Sequence, residues 1–190
     1  MKVTAFNGSP RAEGNTAGAI KIVFKELEKE GIETELVRIG HKKFSGCMAC
    51  YKCRENKDMK CALDDDGINA CVEKMAASDG IIIASPVYYG NVSTAVKALI
   101  ERCGQVSRAN GNPLKDKIGT PVVAVRRAGS NFTYAAINFF FGIMHMPIAT
   151  SSYWNMTLAG KPGDIDNDAE GVKNFIELGK STACLIKKTR

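Results

Sequence analysis

The sequence predicts an α/β fold, a three-layer sandwich in which a five-stranded parallel sheet of order 2-1-3-4-5 lies between helices. Two observations predict it. Segments with the pattern of strands alternate along the chain with segments of helical periodicity. Most of the strand segments are continuously apolar, which is typical of parallel strands covered on both faces. With 190 residues, 45% of them hydrophobic and 24% charged, the chain has the size and composition of one globular domain.

The first two strands and the helix between them lie before residue 40. Lys2–Asn7 is short and apolar and runs directly into a loop rich in Gly, Ser and Asn, which predicts a buried strand. Over Thr16–Lys29, apolar residues recur at helical spacing with charged residues between them. Gly31 ends this helix, and Ile32–Ile39 has the pattern of the second strand.

The remaining elements follow a cysteine-rich segment. Asp66 or a neighbour is expected to cap a helix that runs to about Ala77, and the carboxylates of "LDDDG" are assigned to this cap rather than to acid–base chemistry. The isoleucine run of "GIIIASP" predicts a central strand buried on both faces. The later elements alternate in the same way: a helix at Ser93–Gly104, a strand from about Ile118, a helix at Tyr134–Met144, a fifth strand near Pro147–Ser151, and a last helix from about Asp168 to Lys187.

Charge and hydropathy argue against several classes of protein. The net charge of +6 comes from 26 basic residues spread among 20 acidic ones, which favours an anionic small ligand over nucleic acid. The apolar stretches are too short or too interrupted to span a membrane, and the N-terminal strand leaves no room for a signal peptide. We therefore expect a cytoplasmic protein that binds neither nucleic acid nor a membrane and whose thiols are kept reduced.

The loop after the first strand has the composition of a phosphate-binding site. In a sheet of this order, ligands bind beyond the carboxyl ends of the strands, near the switch point between strands 1 and 3. There "NGSPRAEGNT" groups Ser9, Arg11, Asn15 and Thr16 before a helix whose first amides favour an anion. The loop lacks the glycine pattern of a dinucleotide-binding fold and the Gly-Lys-Ser/Thr of an ATP-binding loop. A Gly-rich turn with Asn15 as N-cap is the alternative.

A second loop, "SPVYYGNVS", follows the third strand. Pro86 ends the strand, and Gly90 allows the backbone to turn sharply. Backbone amides and tyrosine side chains of such a loop suit a flat heteroaromatic ring. Taken alone, the same letters also describe an ordinary strand-to-helix turn.

Four of the seven cysteines form the pattern Cys47-x2-Cys50-x2-Cys53-x7-Cys61. Four thiolates at this spacing can bind one [4Fe-4S] cluster or one zinc ion. The short intervals favour the cluster, because structural zinc more often uses two Cys-x2-Cys pairs separated by a longer arm. Disulfides come third, because a reduced cytoplasm disfavours them, and free or partly oxidised cysteines are a further alternative. The other cysteines lie singly in helical patterns and are expected to be packing residues: Cys71, Cys103 and Cys184.

The two loops, "GSPRAEGNT" and "SPVYYGNVS", resemble the FMN-binding loops of the NADPH-dependent FMN reductase superfamily, whose fold is flavodoxin-like. With the cysteine segment between them, the chain resembles the iron-sulfur flavoproteins of anaerobic microbes. The resemblance covers nearly the whole chain and is strongest from Met1 to about Arg102. It implies one flavodoxin-like FMN-binding domain over residues 1–190, with a cysteine-rich insertion at about 44–63. It also implies a [4Fe-4S] cluster bound by Cys47, Cys50, Cys53 and Cys61.

The same resemblance implies which residues bind FMN. The phosphate group would be bound by Ser9, Arg11, Asn15 and Thr16. The ribityl chain and the isoalloxazine ring would contact Pro86, Val87, Tyr88, Tyr89, Gly90 and Asn91. A third flavin-contacting loop corresponds to "RRAGSN", with Arg127 and Gly129.

The activity implied is that of an FMN-dependent oxidoreductase, in which the flavin carries the chemistry and no side chain is assigned as catalytic. We expect electrons to pass between a donor, ferredoxin or NAD(P)H, and a small-molecule acceptor, with the cluster as a relay. Relatives complete the flavin site with a second subunit, which implies a homodimer or homotetramer. Two alternatives remain: a cluster-free NAD(P)H-dependent FMN or quinone reductase, and a non-catalytic flavodoxin-like or zinc-stabilised interaction module.

Overall fold

The computed structural model describes residues 1–63 and 66–189. Five parallel strands form a sheet of order β2-β1-β3-β4-β5, as the sequence predicts. The strands are β1 (Lys2–Asn7), β2 (Glu33–Arg38), β3 (Gly80–Pro86), β4 (Ile118–Val125) and β5 (Met156–Leu158). The helices are α1 (Asn15–Lys29), α2 (Lys52–Asn56), α3 (Ile68–Ala77), α4 (Thr94–Ala109), α5 (Ser130–Ile143) and α6 (Ala169–Thr189), with a short 3-10 helix (Asp164–Asn167) before α6.

Alternation along the strands divides the apolar core into two layers. Val3 and Ile82 pack in one cluster with residues of α1 and α6. Phe6 and Ile81 pack in the other cluster, with residues of α3, α4 and α5. Successive side chains of a strand point to opposite faces, so a continuous apolar run such as β3 supplies both layers. Because both faces are covered, the loops at the carboxyl ends of the strands are where a ligand can reach the sheet.

The fifth strand lies further along the chain than the sequence predicts. Over the predicted segment, Pro147–Ser151, an isolated bridge forms to β4, and a strand forms only later, at β5. On this edge of β4, the amide of Gly119 donates to the carbonyl oxygen of Pro147 over 2.8 Å, and the amide of Val123 donates to that of Asn155 over 3.0 Å. Midway between these donors stands Pro121, which has no N–H group. The prediction is therefore wrong because a continuous fifth strand would lack a ladder hydrogen bond at Pro121.

Two helices also differ from the prediction. α5 begins at Ser130 rather than at Tyr134, because Gly129, with a φ of 91°, turns the chain directly into the helix. The short α2 lies inside the cysteine segment, where the sequence predicts no helix.

The start of α3 agrees with the predicted cap in part. The Asp66 carboxylate accepts a hydrogen bond from the amide of Ile68, the first helical residue, over 3.3 Å. The other two carboxylates of "LDDDG", Asp64 and Asp65, lie outside the described residues. Among the helices that the structure describes, none is long and apolar enough to cross a membrane.

Candidate functional site

The loop after β1 is a tight turn at the rim of the sheet. The amide of Ser9 donates to Asn7 Oδ1 over 2.9 Å, and the Ser9 hydroxyl oxygen accepts from the amide of Arg11 over 3.2 Å. Ser9 is only 6% exposed, so these hydrogen bonds are shielded from water. Asn7 Nδ2 is buried and has no hydrogen-bond partner in the described part of the chain. The turn is thus held by side chain–backbone hydrogen bonds.

The first turn of α1 completes a cradle for an anion. The residue before it, Gly14, is extended, and the first amides of a helix have no acceptor within the helix. The side chain of Asn15 is engaged elsewhere, because its amide donates to Lys161 O over 2.8 Å and its oxygen accepts from the amide of Ile165 over 3.3 Å. Asn15 therefore offers the cradle its backbone amide rather than its side chain.

Two glycines allow the cradle to lie close to its neighbours. A Cβ atom on Gly8 would be 2.2 Å from Cγ2 of Val96. A Cβ atom on Gly40, just after β2, would be 2.2 Å from the backbone carbonyl carbon of Ser9. Nonbonded atoms do not approach this closely, so a side chain at either position would displace the neighbouring atoms. At Gly40 the obstacle is backbone, which cannot move without moving the cradle.

The loop after β3 is a two-residue hairpin turn. Tyr88 and Asn91 exchange backbone hydrogen bonds of 2.9 and 3.0 Å. Between them, Tyr89 and Gly90 have φ values of 50° and 73°, as a type I′ turn requires. The side chain of Tyr89 is fully exposed to solvent. Of the two tyrosines of the turn, Tyr88 lines the cleft that this loop forms with the loop after β1, and Tyr89 does not.

These two loops line one open cleft with about 700 Å³ of empty space, part of it solvent. Seven of the predicted FMN contacts line it: Ser9, Arg11, Asn15, Thr16, Pro86, Val87 and Tyr88. The other lining residues were not among the predicted contacts, although Arg126 lies in the predicted third loop: Gly14, Ala124, Arg126, Ala159 and Gly160. Ala159 and Gly160 follow β5 directly. Because the fifth strand was predicted at Pro147–Ser151, these two residues were not expected at the end of a strand.

The loop after β4 contributes one arginine to the cleft. Arg126 is among the lining residues, whereas the predicted Arg127 is not. Arg126 lies two residues after Ala124, which also lines the cleft, so it continues the alternation of β4, and this alternation was the available signal. Gly129 packs behind the cleft instead of lining it, and a Cβ there would be 2.9 Å from the Cα of Gly90.

The composition of the cleft fits FMN. Two cationic side chains, Arg11 and Arg126, and no carboxylate are among the described residues that line it, which suits a phosphate group. Pro86, Val87 and Tyr88 form a mostly apolar wall suited to a flat ring. An anion cradle and a ring wall therefore face the same cleft.

A second cavity, the cysteine recess, lies in the segment between β2 and α3. All four predicted ligands line it: Cys47, Cys50, Cys53 and Cys61. It is narrow, with about 380 Å³ of empty space that is partly open to solvent. Four residues of the surrounding loop are in the left-handed conformation although none is glycine: Ala49, Tyr51, Lys57 and Met59. Such backbone costs about 1–3 kcal/mol per residue and is concentrated at ligand sites.

Helix α4 forms the back wall of the recess. Glu101 Oε2 accepts a hydrogen bond from the amide of Cys47 over 3.2 Å. Its neighbour Arg102 donates from Nε to the sulfur of Cys61 over 3.3 Å. The pKa of Arg102 is raised, since burial lowers it but hydrogen bonds to Cys61 and Asp66 outweigh burial. Side chains of one rigid helix thus fix both ends of the cysteine motif.

The same helix connects the recess to the flavin cleft. α4 begins at Thr94, three residues after the turn that ends at Asn91. Arg102 lies eight residues further along, which is a rise of about 12 Å. The two candidate sites therefore share one structural element.

One of the four motif thiols, Cys53, has a shifted pKa. The pKa of Cys53 is raised, first by burial and then by its neighbours Cys61, Cys47 and Cys50. In the part of the chain that the structure describes, no three His, Cys, Asp or Glu side chains are arranged to hold a single metal ion.

The remaining cysteines differ in their environment. Cys71 and Cys103 are buried in the core, as predicted, and burial raises the pKa of Cys71 to about 11. Cys184 is exposed, so its prediction as a packing residue is wrong. On α6 the buried side runs through Ala183 and Ile186, and Cys184 falls on the solvent side of it.

Comparison with known proteins identifies the family. The model of the NADPH-dependent FMN reductase family matches residues 1–161. An iron-sulfur flavoprotein of Methanocaldococcus jannaschii is 36% identical over 98% of this chain and 98% of its own. One from Methanosarcina thermophila is 33% identical over 100% of this chain and 99% of its own.

Solved structures agree on the fold. A flavodoxin from the domain Archaea superposes with a TM-score of 0.63 at 14% identity, over 98% of this chain and 99% of that one. A WrbA-like flavodoxin from Agrobacterium tumefaciens superposes with a TM-score of 0.66 at 14% identity, over 100% of this chain and 98% of that one. The chain therefore belongs to the NADPH-dependent FMN reductase family and is an FMN-dependent oxidoreductase with a flavodoxin-like fold.

Proposed function

We propose that this protein transfers electrons between a donor, ferredoxin or NAD(P)H, and a small-molecule acceptor, using FMN in the cleft and a [4Fe-4S] cluster in the cysteine recess as a relay. When bound, FMN supplies one- and two-electron chemistry and the cluster supplies one-electron chemistry. The observation that carries the proposal is that all four motif cysteines line one recess. The back wall of that recess, α4, follows directly on the flavin loop.

Residues of the two loops would hold the flavin. Arg11 and the first amides of α1 would bind the phosphate group, and the Ser9 and Thr16 hydroxyls would add donors. Val87 and Tyr88 would lie along the ring and limit its contact with water. The other predicted contacts are not among the residues that line the cleft: Tyr89, Gly90, Asn91, Arg127 and Gly129.

The cluster rests on the arrangement of the recess and on the relatives. Four thiols surround a cavity, and strained backbone between them implies a segment that a bound group stabilises. The curated relatives cited above are named iron-sulfur flavoproteins. Since thiols in such a site must be reduced to bind iron, we also propose a reducing compartment, the cytoplasm.

A cluster-free NAD(P)H-dependent FMN or quinone reductase is the second candidate. It is favoured by the family model, which describes NADPH-dependent FMN reduction. It is also compatible with the cleft, which lies at the sheet rim and is not lined by any of the motif cysteines.

A cofactor count after strictly anaerobic purification tests the proposal. We expect one FMN per chain, with about four iron and four acid-labile sulfide. Iron far below one atom per chain, with FMN retained, would favour the cluster-free reductase. Zinc in place of iron would favour a structural metal. Mixing the oxidised protein with NADPH, NADH or reduced ferredoxin, and following loss of the oxidised-flavin absorbance, would then identify the class of donor.

We further propose one domain that assembles as a homodimer or homotetramer. Phe132, Phe139 and Ile143 are 70%, 76% and 55% exposed, and their spacing places them on one side of α5. Exposed apolar patches of this kind mark interaction surfaces. Light scattering coupled to size exclusion measures the assembly, and a monomer at micromolar concentration would contradict it.

A further inference from the structure

We propose that Arg102 is a positioning residue for the cluster, which orients the Cys61 thiolate and raises the reduction potential of a [4Fe-4S] group bound in the recess. This inference rests on the proposed cluster. It assigns a role to a residue that is neither a metal ligand nor a flavin contact.

The burial of Arg102 requires a reason. Its side chain is 1% exposed and lies among apolar residues of α4, including Leu99 and Val106. An arginine cannot lose its proton in a protein, so the charge itself is buried. Removing a charge from water is costly unless it is paired, and an apolar side chain would pack here without that cost.

The partners of Arg102 direct its guanidinium toward the recess. Nη1 donates to Asp66 Oδ2 over 2.5 Å and also lies 3.4 Å from two oxygens of Ser45. This leaves Nε to donate to the sulfur of Cys61 over 3.3 Å. Arg102 lines the recess, and its buried Nη2 has no partner within the described chain. A further donor is therefore available at the recess wall.

The charge of Arg102 favours the reduced cluster. Reduction adds one electron, and hence one negative charge, without forming or breaking a bond. A buried cation that donates to a ligand sulfur stabilises the more negative form, which raises the potential. Lys52, Lys57 and Lys60 lie in the same loop but are exposed, and water and salt screen their charges. Because Arg102 is buried, water and salt screen its charge much less, and its effect on the cluster potential is larger.

The test compares Arg102→Gln with Arg108→Gln, an exposed arginine on the same helix. Both proteins are purified anaerobically with their cofactors, and the cluster is titrated with dithionite while its paramagnetic signal is followed. For Arg102→Gln, the ratio of reduced to oxidised cluster at a fixed applied potential should fall about tenfold, which corresponds to 59 mV for a one-electron couple. Arg108→Gln should leave the potential unchanged, and Arg102→Lys should restore part of it.

The outcomes separate this inference from the proposed function. An iron-free wild type overturns both. A wild type with four iron, together with an Arg102→Gln variant of equal iron content and unchanged potential, overturns only the role of Arg102. If Arg102→Gln loses its iron, Asp66→Asn decides the matter, because removing the counter-charge of Arg102 should raise the potential. An unchanged potential in that variant overturns the inference.

Discussion

The flavin cleft and the cysteine recess are built by different means. The cleft lies at the strand ends, and glycine stands where a neighbour leaves no room for a Cβ atom: the side chain of Val96 at Gly8 and the backbone of Ser9 at Gly40. The recess is formed by a long segment that rests on side chains of α4 and bends at residues other than glycine, such as Ala49 and Tyr51. The sheet fixes the shape of the cleft, whereas a bound group would stabilise the strained loop of the recess. Loading of the two sites should therefore be separable.

The largest effect is expected from Cys53→Ser. A serine hydroxyl is a poor ligand for iron, so the iron and sulfide content should fall to near zero. FMN content should stay at one per chain, because no motif cysteine lines the cleft. The matched control is Cys184→Ser on the exposed side of α6, which should keep both cofactors. Parallel loss of FMN and iron in Cys53→Ser would show that the two sites are not independent.

The reverse separation is expected from Gly40→Ala. The added methyl group meets the backbone of Ser9, and relieving such overpacking typically costs about 1–3 kcal/mol. The dissociation constant for FMN, measured by fluorescence titration of the apoprotein, should rise about tenfold while iron is retained. Gly142→Ala is the control, since a Cβ there has nothing within 4 Å. Unchanged FMN affinity in Gly40→Ala would contradict the role given to this close approach.

A smaller effect separates two neighbouring arginines. Arg126 lines the cleft and Arg127 does not. Arg126→Ala should weaken FMN binding about fivefold, because a partly solvated charge-assisted hydrogen bond contributes about 1 kcal/mol. Arg127→Ala should change the affinity by less than about twofold, as expected of a surface charge. The opposite ranking would restore the prediction made from the sequence.

The smallest effect concerns stability alone. Asp168 accepts hydrogen bonds from the amides of Gly171 and Leu158 and from the Thr157 hydroxyl, which joins α6 to β5. Asp168→Ala should lower the free energy of unfolding by about 1–2 kcal/mol, as loss of a helix cap does. Neither cofactor should be lost.

The pH dependence of this effect has a definite sign. Burial alone would raise the pKa of Asp168, but its hydrogen bonds to Gly171, Thr157 and Leu158 outweigh burial and lower it. The contribution to stability is therefore complete above the unfolded-state pKa of about 3.9 and is lost as the pH falls through the lower folded-state pKa. Urea unfolding of wild type and Asp168→Ala should converge below that range. A constant difference down to pH 2 would contradict this.

The sheet and the anion cradle can be predicted from the sequence more fully than the residues that form the walls of the cleft and the cysteine recess. Apolar strands alternating with helices predict the strand order, and "NGSPRAEGNT" after β1 predicts where an anion can bind. These features are local, or follow from general rules of α/β topology. Predicting that Arg126 lines the cleft requires the alternation of side chains along β4, which composition alone does not reveal.

Long-range contacts explain most of what was missed. Ala159 and Gly160 line the cleft because β5, the edge strand beside β4, lies later in the chain than the sequence predicts. In "ALIERCG", Arg102 looks like an ordinary surface charge. Its position three residues after Leu99 and four before Val106 nevertheless places it on the buried side of α4. Its partner Asp66 is 36 residues away in sequence, so the pairing could not be inferred from either residue alone.

Pro121 has one more consequence, for association between chains. The edge of a sheet presents free amides and carbonyls to which another strand can add, and long regular edges promote aggregation. Where the chain departs from β4 between residues 150 and 154, the amide that an added strand would need is the one that Pro121 lacks. β4 is buried along its whole length, so Pro121 matters if the edge segment opens, and it then leaves the exposed edge poorly suited to template a foreign strand.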